Sequence, residues 1–229
     1  IQEILVGLSS LLLRQFITEK AVNRLLQLTQ GNSSLQARCY QELGDLMVFR
    51  GNMTKAREKY EKAVQLGDPG NLAKTTLDEL PEQSPGFKNQ LNPDELFIQP
   101  AAVLNKKGEI FAHFELYKRA VLLYSASIQM DPNNLMSMLN MGAAYYKLGN
   151  FARAITILER TLKTHPNHAH MDGHRLLLAQ VYAKKGDPGA AMENLKIALK
   201  LNPGLEKIIQ SDPGFENLRN REDFQKLFQ

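Results

Sequence analysis

The stretch NMGAAYYKLGNFARAITILERTLKTHPN, from Asn140 to Asn167, predicts two helices joined by a tight turn. Small, apolar and aromatic residues follow helical spacing up to Leu148, and a second apolar run with the same spacing begins at Phe151. Gly149 suits the left-handed residue that ends many helices. Pro166 ends the second run, because proline cannot continue a helix. The stretch is therefore predicted to be an antiparallel helical hairpin.

The same arrangement of small residues and a closing proline recurs along the chain. Two small residues lie 12 apart, where the two helix axes of a hairpin would approach closely, and the proline follows after another 12. The complete copies contain Gly108, Ala120 and Pro132; Gly142, Ala154 and Pro166; and Ala179, Ala191 and Pro203. Gly44 and Ala56 keep the first spacing upstream. The first two complete copies are 34 residues apart, which is a period typical of a helix–turn–helix repeat.

With this period, the chain resembles the tetratricopeptide repeat family. The family pattern has Leu-Gly and Tyr on the first helix, Ala and an aromatic on the second, and a closing Pro. Copies in near-register begin at Ala37, Ala101, Leu135 and Asp172, although the Trp of the family pattern is absent from the chain. The resemblance implies an all-α fold, a right-handed α-α superhelix (solenoid) of tetratricopeptide-like helical hairpins with a C-terminal capping helix.

We predict four segments. Residues 1–70 form two N-terminal hairpins, the first degenerate, with helices at Ile1 to Leu13 and Thr18 to Gln30. Residues 71–100 form a non-repeat insertion or cap-like linker, residues 101–205 form three hairpins, and residues 206–229 form the capping segment. The insertion contains four prolines, so no long helix can run through it. It is either a partly ordered loop with a short helix near Leu72 to Leu80, or a second segment similar to the C-terminal cap.

The C-terminal segment carries the apolar residues that a solenoid needs at its end. Terminal repeats require a cap, because no neighbouring repeat buries their outer surface. We expect Phe215, Leu218, Phe224 and Leu227 to cover the apolar face of the last repeat.

Composition excludes several classes of partner and compartment. The net charge of +4 comes from interspersed charges without a basic block, so we expect no nucleic-acid partner. No apolar stretch approaches the length of a membrane span. The single Cys39 is interpreted as a buried free thiol, and we expect a cytoplasmic protein. The chain begins with Ile1 rather than Met, which indicates a processed or truncated piece.

The sequence indicates no enzyme, since it lacks a Gly-rich phosphate loop, a CxxC pair and a GxSxG motif. No catalytic residue, cofactor or metal is therefore predicted. Four histidines between His165 and His174 are interpreted as a turn whose polar residues face water and cap the next helix. The alternative is a metal-responsive module, with His168, His170 and His174 as ligands.

Stacked hairpins build a concave surface, and the resemblance implies that the first helix of each hairpin lines it. We expect a protein or peptide partner to lie there as an extended peptide or a helix, which makes the chain an adaptor, a scaffold or an assembly subunit. The candidate groove residues, which are those left over by the packing pattern, are Arg38, Gln41, Asp45, Asn105, Glu109, Met136, Asn140, Tyr146 and Gln180.

A structural role is the alternative to partner binding. The chain would then be one segment of a longer solenoid, or it would self-associate through exposed solenoid ends. The apolar stretch Ile1 to Leu13 favours this alternative.

Overall fold

The computed structural model describes residues 19–82 and 100–228, and every regular element in these two ranges is helical. The α-helices are α1 (Glu19–Leu28), α2 (Ser33–Phe49), α3 (Met53–Gln65), α4 (Leu72–Glu79), α5 (Pro100–His113), α6 (Tyr117–Met130), α7 (Leu135–Lys147), α8 (Phe151–Thr164), α9 (Met171–Lys185), α10 (Pro188–Leu201), α11 (Glu206–Ser211) and α12 (Glu222–Gln225). Short 3-10 helices cover Pro69–Asn71, Pro203–Leu205, Pro213–Leu218 and Lys226–Phe228.

Asparagine side chains define where several of these helices begin. Asn32, Asn52, Asn134 and Asn150 precede α2, α3, α7 and α8, and each accepts a hydrogen bond from a backbone N–H in the first turn. Such caps pair amides that have no partner within the helix. Gly149 has a φ of 70°, so the predicted left-handed residue after α7 is confirmed.

The chain divides into two compact units, residues 1–132 and 133–229. The first unit contains the hairpins α2/α3 and α5/α6, with α1 packed against α2. Helix α4 is the short helix expected near Leu72 to Leu80, and it packs against both α3 and α6. Its Glu79 accepts a hydrogen bond from the backbone N–H of Lys118 at 3.1 Å. The inserted segment thus supplies a carboxylate to the N-terminus of α6, where helix amides favour negative charge.

The second unit contains the hairpins α7/α8 and α9/α10, with α9 packed against α8. Close approach of α7 and α8 depends on Gly142, where an added Cβ would lie 2.5 Å from a methyl carbon of Leu158. Gly108 has the same relationship to Tyr124 in the first unit, at 2.4 Å. The two glycines Gly108 and Gly142 therefore occupy repeat positions with no room for a side chain.

The C-terminal segment closes the second unit as predicted. Phe215, Leu218 and Phe224 are buried against the alanines and leucines of α9 and α10, and Leu227 packs at the edge of the same core. The 3-10 helix Pro213–Leu218 lies against α9. The core of this unit therefore extends from the last hairpin into the cap.

Two further expectations concern single features. Cys39 is a buried free thiol, as predicted. Among the helices that the structure describes, none has the length and hydropathy to cross a membrane. The helix expected at Ile1 to Leu13 lies outside the described residues.

Candidate functional site

The candidate groove residues of the second unit lie on its first helices, Met136, Asn140 and Tyr146 on α7 and Gln180 on α9. Packing within the unit explains why the side of α7 that carries these residues stays accessible. Helix α7 buries Ser137, Met138, Gly142 and Ala144, whereas Asn140 and Tyr146 keep partial exposure. Met136 is an exposed apolar side chain, with 41% of its surface accessible.

The C-terminal end of this face holds the chain's own cap. The Gln180 side-chain amide donates a hydrogen bond to the Asp212 carboxylate at 2.5 Å, and the other oxygen of Asp212 accepts from Gly214 N–H at 2.7 Å. A Cβ placed on Gly214 would lie 3.2 Å from Gln180 and 3.4 Å from the Tyr146 hydroxyl. Burial raises the pKa of Tyr146, and the charge of Asp212 raises it further. The structure therefore brings Tyr146 and Gln180 together around the turn Asp212–Gly214.

Sequence reasoning missed this turn, although the sequence contains a signal for it. Gln41 in the first unit also donates its side-chain amide to an aspartate, Asp68, which likewise starts an Asp-Pro-Gly sequence. Each of the two glutamines predicted for the groove thus binds the aspartate of an Asp-Pro-Gly turn. The sequence signal for such a turn is therefore a glutamine on the first helix of a hairpin together with an Asp-Pro-Gly sequence later in the chain.

The other candidate residues of the first unit lie on α2 and α5. Arg38 is half-buried, and Gln41 is buried beneath its bond to Asp68. Asn105 is also buried, and its amide donates to the Glu109 carboxylate at 2.9 Å. Lys106 pairs with the second oxygen of Glu109 at 2.8 Å. Asn105 and Glu109 are therefore neighbours one turn apart on the same face of α5.

Asp45 is a correction to the predicted groove. Only 1% of its surface is accessible, so it does not line an open surface. Its carboxylate pairs with Lys107 at 2.9 Å and with Arg119 at 3.1 Å, and it accepts a hydrogen bond from the Tyr60 hydroxyl at 2.8 Å. Lys107 also pairs with Glu42 at 3.1 Å. We call these five residues the buried ion cluster.

The buried ion cluster links α2, α3, α5 and α6 inside the first unit, and its two cations balance its two carboxylates. Burial alone raises the pKa of Asp45, but the charges of Arg119 and Lys107 and two hydrogen bonds hold this pKa below its ordinary value. Burial lowers the pKa of Lys107, and the carboxylates of Glu42 and Asp45 more than reverse this. Asp45, Lys107 and Arg119 therefore stay ionised near neutral pH. The cluster therefore joins the α2/α3 and α5/α6 hairpins, which the inserted segment separates in the sequence.

The histidine-rich turn also differs from its prediction, because His174 is buried rather than facing water. Its repeat position explains this. His174 lies five residues before Ala179, as the buried Ser137 lies five before Gly142. His170 is the N-cap residue of α9, but its side chain makes no capping hydrogen bond.

The metal-responsive alternative gains no support from the geometry. The ring nitrogens of His168 and His174 contact each other at 2.9 Å, and their outer nitrogens contact the backbone. Within residues 19–82 and 100–228, no group of three or more His, Cys, Asp and Glu side chains is arranged to hold a metal ion. A metal would have to displace hydrogen bonds that both rings already make.

The folded hairpins define a helical repeat protein. The tetratricopeptide repeat family model matches residues 115–180, and a second model of the same description matches residues 175–204. The hairpins between residues 115 and 204 therefore match the tetratricopeptide repeat family, as the sequence pattern predicted.

A curated relative is the tetratricopeptide repeat and J domain-containing co-chaperone DNJ1 of Fusarium oxysporum f. sp. lycopersici. The two chains are 33% identical over 81 residues, which is 35% of this chain. The match covers 15% of the length of that co-chaperone.

Similar solved structures include YrrB, described as a TPR protein with an unusual peptide-binding site. It is 17% identical, with 87% of this chain and 85% of that chain covered and a TM-score of 0.47. A structure of MamA from AMB-1 is 19% identical, with 92% and 98% coverage and a TM-score of 0.46. BtubC from P. vanneervenii is 21% identical, with 82% and 71% coverage and a TM-score of 0.43.

Proposed function

We propose that the second unit binds an extended peptide or a helix of a partner protein along the exposed face of α7, and that the chain thereby acts as an adaptor or assembly subunit. The proposal assigns the chain no catalytic step, cofactor or metal. The partner is a protein, and nucleic acid has no part in the binding.

The exposure of Met136 is the observation that carries this proposal. Met136 and Asn140 are four residues apart, so they are neighbours on one face of α7. Unbranched methionine side chains adapt to partners of different shape. An accessible methionine beside an amide that can donate and accept hydrogen bonds suits both an apolar side chain and the backbone of a peptide.

The turn Asp212–Gly214 limits where the partner can lie. Its contacts with Tyr146 place it ten residues along α7 from Met136, which is about 15 Å of helix. We therefore place the partner at the Met136 end of α7. Tyr146 and Gln180 then position the cap instead of touching the partner.

The test is a comparative pull-down with the full chain. The double substitution Met136→Ala with Asn140→Ala removes the proposed contacts. The matched control is Thr156→Ala with Arg160→Ala, which changes two exposed residues four apart on the second helix α8. Captured proteins are quantified, and a peptide from each candidate partner is then titrated against all three chains.

We expect the partner to bind the parent and the α8 control with equal affinity. Its affinity for the α7 double variant should be at least tenfold lower. Circular dichroism must show equal helicity in all three chains. If a directly binding partner has the same affinity for the α7 variant, its site lies elsewhere and the proposal fails.

Self-association is the second candidate, and it is favoured by the exposure of Leu201 and Ile208, each more than half accessible. Light scattering on the eluting protein distinguishes it from partner binding. A dimer that dissociates with Leu201→Ser and Ile208→Ser would support it, and a monomer at all concentrations would remove it.

A further inference from the structure

A chain of hydrogen bonds joins three histidines to α8 in the second unit. His170 N–H donates to Nδ1 of His168 at 3.1 Å, and Nε2 of His168 lies 2.9 Å from Nδ1 of His174. Nε2 of His174 lies 2.9 Å from the backbone oxygen of Leu158. The two rings are stacked, with centroids 5.2 Å apart. We call this chain of contacts the histidine relay.

The contacts determine the protonation of both rings. A carbonyl oxygen only accepts, so Nε2 of His174 must carry its proton and donate to Leu158. Nδ1 of the same ring then has a lone pair, which accepts from Nε2–H of His168. Nδ1 of His168 in turn accepts from the backbone of His170. Both imidazoles are therefore neutral, and each nitrogen already has one partner.

An additional proton has no place in this arrangement. If it binds to Nδ1 of His174, it points at the Nε2–H of His168, and the two donors repel. If it binds to Nδ1 of His168, it meets the N–H of His170. Either event breaks a hydrogen bond and leaves a charge on a ring in or beside the core.

We propose that the histidine relay is an acid-sensitive latch that holds α9 on α8, closed when both rings are neutral and opened by protonation. The latch goes beyond the proposed partner site and does not depend on it. His174 is the residue in the interior of the joint, with 2% of its surface accessible. The bond from His174 to Leu158 is a direct link between the two helices, as is the bond from the Tyr182 hydroxyl to Glu159 at 2.6 Å.

The charged groups around the relay determine how readily it opens. His165 and His170 oppose a charge on His168, whereas the Asp172 carboxylate favours one. Asp172 also accepts a hydrogen bond from Asn202 at 2.7 Å. The charge of Arg175 adds to burial in opposing a proton on His174.

The direction of the pH effect follows from the state that binds the proton. Burial lowers the pKa of His174 from 6.5 to about 4, and the neighbouring His168 adds to this. The unfolded chain therefore gains its proton near pH 6.5, while the closed latch excludes it until about pH 4. Stability from the latch is complete above pH 6.5 and is lost between these values.

The test compares urea unfolding of the full chain at pH 7.5 and pH 4.5 with that of His174→Gln. Glutamine can still donate to Leu158, but it does not titrate. The control is His113→Gln, which changes an exposed ring on α5, outside the histidine relay. The unfolding constant of the parent should rise about a hundredfold more than that of H174Q over this range, and H113Q should follow the parent.

Proton NMR of the five histidines tests the latch without a substitution. We expect the His174 ring signal to titrate well below the ordinary histidine pKa of 6.5, together with chemical-shift changes at Leu158. A His174 that titrates near pH 6.5, or equal pH dependence in the parent and H174Q, would overturn the proposal.

Discussion

Asp45 of α2 and Arg119 of α6 are separated by 74 residues in sequence, and their side chains form an ion pair of 3.1 Å in the interior of the first unit. Lys107 completes the pair from α5, at 2.9 Å from the same carboxylate oxygen. The carboxylate thus holds two buried cations that arrive from different helices. Because both cations are buried, removing this carboxylate should destabilise the fold more than breaking a surface ion pair would.

The first prediction concerns Asp45→Asn. This change leaves Lys107 and Arg119 buried with one negative charge fewer, so we expect the free energy of unfolding to fall by about 3 kcal/mol. Urea denaturation followed by circular dichroism measures it. Asp223→Asn is the matched control, because Asp223 pairs with Arg221 at 2.9 Å on the surface. The control should leave the urea midpoint unchanged, and equal losses in both variants would contradict the role of burial.

The second prediction concerns acid. The folded pKa of Asp45 is lower than its ordinary value of 3.8, so its ion pairs stabilise the fold above about pH 4. This contribution is lost as pH falls through the folded pKa. The stability difference between the parent and D45N should therefore be constant from pH 7 to about pH 4.5 and shrink below it. Urea midpoints of both chains at each pH measure this difference. A stability difference that grows as the pH falls would contradict the lowered pKa of Asp45.

The third prediction concerns Gly142→Ala. The added methyl group would lie 2.5 Å from Leu158, so the α7/α8 contact must widen, at a cost of about 1–3 kcal/mol. Thermal and urea unfolding measure the loss. The effect should be smaller in a Leu158→Ala background, where the clash is gone and only the cavity remains.

Gly173→Ala is the control for this substitution. Gly173 lies inside α9, where an added Cβ meets nothing within 4 Å. Alanine is the better helix former, so G173A should raise the stability by about 0.5–1 kcal/mol. If G142A lowers the stability and G173A raises it, the loss in G142A comes from the contact between α7 and α8. Stability changes of the same sign in both variants would contradict this explanation.

The fourth prediction concerns the cap. Phe215 is fully buried against the α9/α10 core, so Phe215→Ala should cost about 3–5 kcal/mol. It should also increase amide exchange in α9 and α10. Ile208→Ala tests whether this is a property of the whole segment, since Ile208 is 53% accessible. We expect little change from I208A, and comparable losses in the two variants would show that the loss at Phe215 does not come from its burial.

The hairpins themselves could be predicted from the sequence. Gly142, Ala154 and Pro166 locate the crossing point and the end of one hairpin, and their recurrence locates the others. The turn at Gly149 and the cap residue Phe215 follow from equally local patterns. Helix length, capping and periodicity depend on residues within a few turns, so one sequence contains enough information for them.

The candidate groove could be predicted only in part. Met136 and Asn140 lie on the exposed side of α7, where the repeat register places them. Asp45 has the register of a groove residue but is buried, because Lys107 and Arg119 reach it from another hairpin. The position of a residue within the repeat predicts which side of the helix it occupies. It does not predict which charged side chain from another hairpin will contact that residue.

What the sequence by itself determined is the repeat: where its hairpins turn and end, which small residues face a neighbouring helix, and which aromatics close the last hairpin. Only the tertiary structure decided that Asp45 joins a buried ion cluster, that His174 pairs with His168, and that Asp212 binds Gln180. The reason is physical. Helical periodicity is a property of adjacent residues, whereas the partner of a polar side chain depends on how separate hairpins stack, and burial then makes that pairing obligatory.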